Sequence, residues 1–385
     1  MTNLYLTASQ SENSTPYTFP MTGIRVYSLE EALYHCLHHW RGVTQDFLCE
    51  PFIKWVEGSL GLGKIGNALR EISRIESFSM RFMSFLTVVD YLPKQSLVVL
   101  QKELSQWERR QVWEKLAEQG DYWAVRGEGE RAYSFYARAL NYHENAKLLN
   151  NAGVALMHVG SYDEAAEHFV KAARLNPASR QLLFNLIEAH ILAGAHEDAQ
   201  NLIEEAMAKY PEHPEIFYFQ AEIYFCNKSY FEAIKLYEKA AALDNDPQYT
   251  YRMCDCYMKT RLYDKALSAM QAVVVQDAAF LRKQAEYYTI AGNIPMAIKS
   301  IEKALVGLPN DVRLWVTLAQ YHRMDLDLGK ASGAITKALS LSAENPAALL
   351  EQARIRKAQG RTKEYQGILN RILTKFKRDY REIIE

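Results

Sequence analysis

The chain has 385 residues, 49% of them apolar and 24% charged, and a formal net charge of −1. That content supports a sizeable core in two or three domains. The charge balance excludes a global preference for nucleic acid or an anionic membrane, and without an apolar run of about 18 residues no membrane insertion is expected.

Residues 1–28 are rich in Ser, Thr, Asn, Tyr and Pro without helical periodicity, which predicts an extended or mobile leader. They lack a basic n-region ahead of an apolar core, so they do not read as a signal peptide. Helix signals begin at Ser28, with Glu31 three residues on as in a capping box. Amphipathic stretches follow at 46–58, 64–75, 77–92 and 94–110, with Pro93 separating the last two. Residues 29–112 are therefore expected to form an all-helical N-terminal module. Two motifs in it invite chemistry. Gly61-Leu-Gly63-Lys-Ile-Gly66 has the letters of a dinucleotide fingerprint, but that turn needs a strand before it. Phe52, Trp55 and Val56 have helical spacing instead, which predicts a glycine-broken loop. Ile65 after Lys64 removes a P-loop. His35 and His39 stand at i and i+4, the spacing of a metal pair, but Cys36 lies off that face and no neighbouring motif supplies a third ligand. No metal or other cofactor is expected, and no nucleophile-base arrangement is found.

From residue 113 the sequence repeats. Gly160-Ser-Tyr162-Asp-Glu-Ala165 aligns with Gly194 to Ala199, Lys228 to Ala233, Arg261 to Ala266 and Gly292 to Ala297. Seven residues after each alanine comes Ala172, Ala206, Ala240, Val273 or Ala304, and several units close with Pro177, Pro211 or Pro309. A period near 34 residues is that of a helix-turn-helix repeat. Small residues such as Gly153, Ala165 and Ala172 let paired helices approach, Leu149, Leu156 and Phe169 fill between them, and the proline stops the second helix. One hairpin leaves apolar surface uncovered, so neighbours must stack.

These residues and spacings resemble the tetratricopeptide repeat (TPR). Residues 146–179, 180–213, 214–246 and 278–311 match well. Residues 247–277 lack the closing proline, and "MDLDLGKAS" replaces the usual turn in 312–345. A degenerate copy at 113–146 keeps Gly120, Ala132, Tyr136 and Ala139. Another at 346–379 keeps Leu349, Ala353 and Gly360. The Tyr-rich leader and "YSLEEALYHCLHHW" resemble TPR proteins of Gram-positive bacteria. The resemblance implies an all-α fold: a right-handed α-solenoid of about seven to eight repeats over 113–385, ending in a basic capping helix.

It further implies a concave groove formed by the first helices, which holds a partner's protein or peptide segment. Aligned, that face carries Asn150, Asn151, Asn185, Glu188, Tyr218, Phe219, Glu222, Tyr251, Arg252, Asp255, Arg282, Lys283 and Glu286. Aromatics and arginine are the types that dominate interfaces; Tyr218, Phe219 and Tyr251 also suit packing between repeats. Arg252 and Lys283 suggest an acidic partner stretch. The carboxylate clamp of some family members transfers to Asn150, Val154, Asn185, Glu215 and Phe219, where Asn185 alone is of the required type, so binding of chaperone tails is not implied.

Cys254 and Cys256, one residue apart, fall on different sides of a helix. The five cysteines form no regular framework, which predicts free thiols in a reducing compartment, the cytoplasm. Residues 354–385 hold ten Lys or Arg against four acids. That stretch keeps a nucleic-acid-binding regulator open as an alternative, although Tyr365, Phe376 and Tyr380 are few for base stacking; the polar outer face that a terminal repeat needs is the expected reading. The leading expectation is a non-catalytic interaction scaffold. An enzyme or metal site near His35–His39 is the remaining alternative.

Overall fold

The computed structural model describes residues 15–44, 46–271, 273 and 277–375. Most of the leader, together with Phe376 and Tyr380 of the basic stretch, lies outside them. The chain divides into two compact units, Met1–Ala199 and Gln200–Glu385.

The first unit opens with a two-stranded antiparallel ribbon, β1 (Tyr17–Thr18) and β2 (Arg25–Val26). Five helices follow: α1 (Leu29–Val43), α2 (Glu50–Gly58), α3 (Gly63–Ser73), α4 (Phe78–Leu86) and α5 (Lys94–Glu108). Ser28 caps α1 by accepting from the Glu31 amide, while the Glu31 carboxylate reaches back to the Tyr27 amide, one residue before the cap. Pro51 in its first turn starts α2 at Glu50, four residues later than the periodicity suggests. α4 likewise stops at Leu86, six residues early, where Thr87 turns its hydroxyl onto the Met83 carbonyl ahead of two valines. The Gly61–Gly66 run lies between α2 and α3, and the element feeding it is a helix. Phe19, Phe47, Phe52, Phe82 and Phe85 fill the core of this region with Trp40, Trp55 and Trp107, largely in the edge-to-face contacts that aromatic rings prefer.

The unit continues with α6 (Val112–Ala124), α7 (Gly129–Leu140), α8 (Ala146–Val159), α9 (Tyr162–Leu175) and α10 (Arg180–Ala193). The division between units falls within α11 (His196–Lys209). The second unit carries α12 (Pro214–Cys226), α13 (Tyr230–Leu243), α14 (Pro247–Lys259), α15 (Tyr263–Gln271), α16 (Ala278–Ile290) and α17 (Ile294–Gly307). It ends with α18 (Val312–Met324), α19 (Leu328–Leu341), α20 (Pro346–Ala358) and α21 (Thr362–Lys375). α6 and α7, α8 and α9, α12 and α13, α14 and α15, α16 and α17, α18 and α19, and α20 and α21 pair as seven hairpins among the described residues.

The turns reveal a stricter repeat than the letters do. Gly127, Gly160, Gly194, Lys228, Arg261, Gly292, Leu326 and Gly360 all have positive φ, one in each link from an even-numbered helix to the odd one after it. The "MDLDLGKAS" turn is therefore a regular one with leucine where glycine is usual. A left-handed residue with a Cβ costs about 1–2 kcal/mol, and Leu326 is 84% exposed, so its side chain returns little packing. Leu326→Gly is expected to raise unfolding free energy by about 0.5–1 kcal/mol, the backbone relief exceeding the added entropy of the unfolded chain. Urea titration with unchanged m-value checks this.

Hairpin closure depends on a small residue facing a ring. A Cβ added at Gly120 would lie 2.5 Å from the Tyr136 ring, and one at Gly153 2.6 Å from Phe169. In the second unit Ala221 and Tyr237 share one buried cluster at the same repeat positions. Cys254 and Cys256 are fully buried and belong to different clusters on either side of α14. Burial pushes both thiols up to about 12, which makes them packing groups.

Candidate functional site

The first helices of the hairpins carry the residues expected at a groove, and the units are considered in turn. In the first, Asn150, Asn151 and Asn185 are half-buried and Glu188 is exposed. Asn185 donates from Nδ2 to Asn150 Oδ1 at 2.7 Å, and Asn151 donates to Asp121 Oδ1 at 3.2 Å. The same Asp121 oxygen accepts the Tyr136 hydroxyl at 2.6 Å. Burial, then the Asp121 hydrogen bond, hold that phenol far above its usual pKa, so it stays a donor. Between α6 and α8 the face opens into a cavity of about 400 Å³. Trp113, Ala117 and Leu148 supply its apolar surface, and its polar surface includes Asp121, Lys147 and Asn151 beside Arg110 and two glutamates. Trp113 stacks on His143 with centroids 4.6 Å apart.

In the second unit Phe219 is buried and Tyr218 half-buried. Tyr218 packs against Tyr237 and Tyr249, and its hydroxyl accepts from Gln248 at 2.8 Å. Tyr251 packs on Phe280. Here the packing role open to these aromatics is the one they fill. Arg252 and Lys283, expected to attract an acidic partner, are engaged internally. Arg252 makes a two-pronged contact with Glu222, from Nε at 2.6 Å and Nη2 at 2.5 Å, and lies 3.6 Å from Asp255. Lys283 bridges Asp255 at 3.3 Å and Glu286 at 3.5 Å. Tyr237 and Tyr287 donate their hydroxyls to Glu222 and Asp255. Burial opposes the Arg252 charge, but Glu222 outweighs it and raises the guanidinium pKa further. Arg282 is exposed. The result is a charge ladder one repeat per rung.

Asp121 and Tyr136 stand fifteen positions apart, as do Glu222 and Tyr237; where the ring is Phe169, lacking a hydroxyl, the partner position holds Val154. The inner-face acid and the second-helix tyrosine thus form one unit of structure. Sequence alignment pointed to Glu222 and Asp255 but passed over the site role of Tyr136 and Tyr237, whose signal was that spacing, and of Tyr287, which reaches Asp255 from the next first helix 32 positions on. It also passed over Trp113 and Asp121, hidden in a degenerate copy, and Lys147 at the start of a well-matched one.

The histidines of α1 lie together. His35 is 6% exposed, with Nε2 2.9 Å from the Thr22 hydroxyl, and its ring centroid lies 4.9 Å from that of His39. Among the described residues no set of three His, Cys, Asp or Glu is placed to hold a metal. Burial first, then the neighbouring His39, pull the His35 pKa down to about 4. Between that value and about 6.5 the unfolded chain binds a proton the folded chain refuses. Stability from this group is therefore full above pH 6.5 and is lost as pH falls toward 4. The expected loss is about 3 kcal/mol. It should appear as a difference in pH dependence between wild type and His35→Gln by chemical denaturation, and parallel profiles would refute it.

Stacked helical hairpins with a polar and aromatic inner face define the class of α-solenoid repeat proteins. The family model described as "Tetratricopeptide repeat" matches residues 156–223, and that described as "Anaphase-promoting complex, cyclosome, subunit 3" matches 192–273. The chain thus carries tetratricopeptide repeats in its matched residues.

It is similar, at 24% identity over 207 residues, to human "Protein O-mannosyl-transferase TMTC1", covering 52% of this chain and 24% of that one. It is also similar, at 22% over 150 residues, to "TPR repeat-containing protein YpiA" of Bacillus subtilis, covering 38% and 36%. The matched stretches thus span about a quarter and a third of these relatives. A solved tetratricopeptide repeat protein from Parabacteroides merdae aligns at 18% identity with a TM-score of 0.42, over 64% of this chain and 98% of that one. Among the described residues no helix is long and apolar enough to cross a membrane.

Proposed function

We propose that this protein is a non-catalytic cytoplasmic adaptor that holds a segment of a partner protein on the inner faces of its repeats. The observation that carries the reading is the cavity between α6 and α8, where Trp113, Ala117 and Leu148 offer apolar surface beside Asp121, Lys147 and Asn151. An apolar floor with a few convergent polar groups is the usual anatomy of a recognition site. The free thiols Cys36, Cys49, Cys226, Cys254 and Cys256 fit a reducing compartment. The matched repeats support the binding role, and the engagement of inner-face acids by tyrosines and cations favours binding over catalysis.

The basic C-terminal stretch offers less. Arg354 faces Glu351, Arg356 and Arg361 both face Glu364, and Lys357 lies over Tyr365. Cations held by their own acids weigh against a phosphate-binding face.

The test is affinity capture from the native lysate with wild type and with Trp113→Ala/Lys147→Glu, after circular dichroism establishes that the variant folds. The captured protein's segment is then titrated directly onto both. A protein held by wild type and released by the folded variant supports this face as the site; equal capture by both refutes it.

A further inference from the structure

A second concavity lies away from the repeat faces, between the ribbon and α1. Its volume is about 290 Å³, and its polar lining consists of Arg25, Glu31, His35 and His39. Ile24, Tyr34 and Tyr91 form apolar walls. One oxygen of the Glu31 carboxylate, Oε2, accepts the Tyr27 amide at 2.7 Å. α1 kinks at His39, where φ is −126° and ψ is 27°. There His39 Nδ1 lies 3.1 Å from the Tyr122 hydroxyl and 3.4 Å from Arg126 Nη2. A guanidinium only donates, so Nδ1 is the acceptor and the ring proton sits on Nε2. The Arg126 guanidinium lies 3.5 Å over the Tyr122 ring, which fixes the pair that holds His39.

The site therefore gathers two imidazoles and the Arg25 guanidinium against one carboxylate whose Oε2 is held by the Tyr27 amide, with Arg126 and His38 adding positive influence on His39. A metal lacks a third ligand among the described residues. A cation would meet the Arg25 guanidinium, with Arg126 behind His39. The complementary ligand is an anion, and the aromatic and aliphatic walls call for an apolar body on it. The volume holds roughly ten heavy atoms at about 30 Å³ each.

We propose that this cavity binds a small carboxylate carrying an aromatic or aliphatic group, its carboxylate against Arg25 and the imidazole pair and its body between Ile24, Tyr34 and Tyr91. Burial keeps both imidazoles below their ordinary pKa. A bound anion reverses that preference, so binding draws in a proton and tightens as pH falls. The carboxylate has two possible sources, a free small acid or the C-terminus of a peptide.

Calorimetric titration of the full chain with phenylacetate, phenylacetamide and a peptide ending in phenylalanine, free or amidated, tests this. Phenylacetate is expected to bind at least tenfold tighter than phenylacetamide, with proton uptake visible in buffers of different ionisation enthalpy. Arg25→Gln, at an exposed position that does not disturb the core, should weaken it at least tenfold, as should His39→Gln, while Lys235→Ala, at an exposed position on α13, changes nothing. Tighter binding of the free-carboxylate peptide than of phenylacetate assigns the site to chain termini, and the reverse to free acids. Equal affinity for phenylacetate and phenylacetamide, undiminished binding in Arg25→Gln, or no heat for any ligand between pH 5.5 and 7.5 overturns the proposal.

Discussion

Ala165→Arg and Ala233→Arg are each expected to destabilise the fold by about 3–5 kcal/mol, because each forces a charged side chain into a space with no room and no partner. Both alanines are fully buried, Ala165 on α9 and Ala233 on α13. Ala233 sits among Ala221, Ile234, Tyr237 and Cys256, none of which carries a charge. An arginine there has one escape, to splay the α12–α13 hairpin and expose the cluster. The neighbouring surface positions give the control. Glu164 and Glu232 are exposed in the same first turns, so arginine at either loses only a favourable helix-end charge, within about 1 kcal/mol. Denaturant titration of the four variants decides it. Four equal midpoints would mean that the buried and exposed faces of the second helices have been exchanged, and the assigned repeat register would fall.

The repeats were legible because small residues, turn residues and prolines recur at fixed positions, and each has a local steric cause. Gly153 and Phe169 could be matched as a close approach from spacing alone. Leu326 could not be read as a turn, since leucine gives no hint of positive φ; stacking on both sides imposes that backbone and overrides local preference. The ends of α2 and α4 were missed by several residues for the opposite reason. There a proline and a threonine acted locally within an apolar pattern that ran on past them. The inner face was legible as a set of positions but not as chemistry. Arg252 reads as a binding cation until Glu222, thirty residues earlier, is seen to lie beside it. That partner is visible only once repeats are stacked in register. The pairing of His39 with Tyr122 and Arg126 likewise joins segments more than eighty positions apart, and no motif announces it.

Arg252 carries the other large expected effect, and it bears directly on how the inner face of the second unit is to be probed. Its guanidinium holds both carboxylate oxygens of Glu222, whose side chain is only 12% exposed, and it stacks 4.1 Å from the Phe225 centroid. Removing it leaves a largely buried carboxylate with Tyr237 as its remaining donor among these partners. Arg252→Ala is therefore expected to cost about 2–4 kcal/mol, and Arg252→Glu more, since it sets two acids against each other. A charge-reversal variant made to abolish binding would lose its fold first, and loss of a partner would report on the wrong property. Glu222→Met/Arg252→Met removes both charges and returns apolar volume, so it should retain most of the stability that either single change loses. The double-mutant cycle built on Met variants is expected to give a coupling of about 1–3 kcal/mol. A coupling near zero would mean that Arg252 is held by stacking on Phe225 rather than by Glu222. It would then be available to a partner's acid after all.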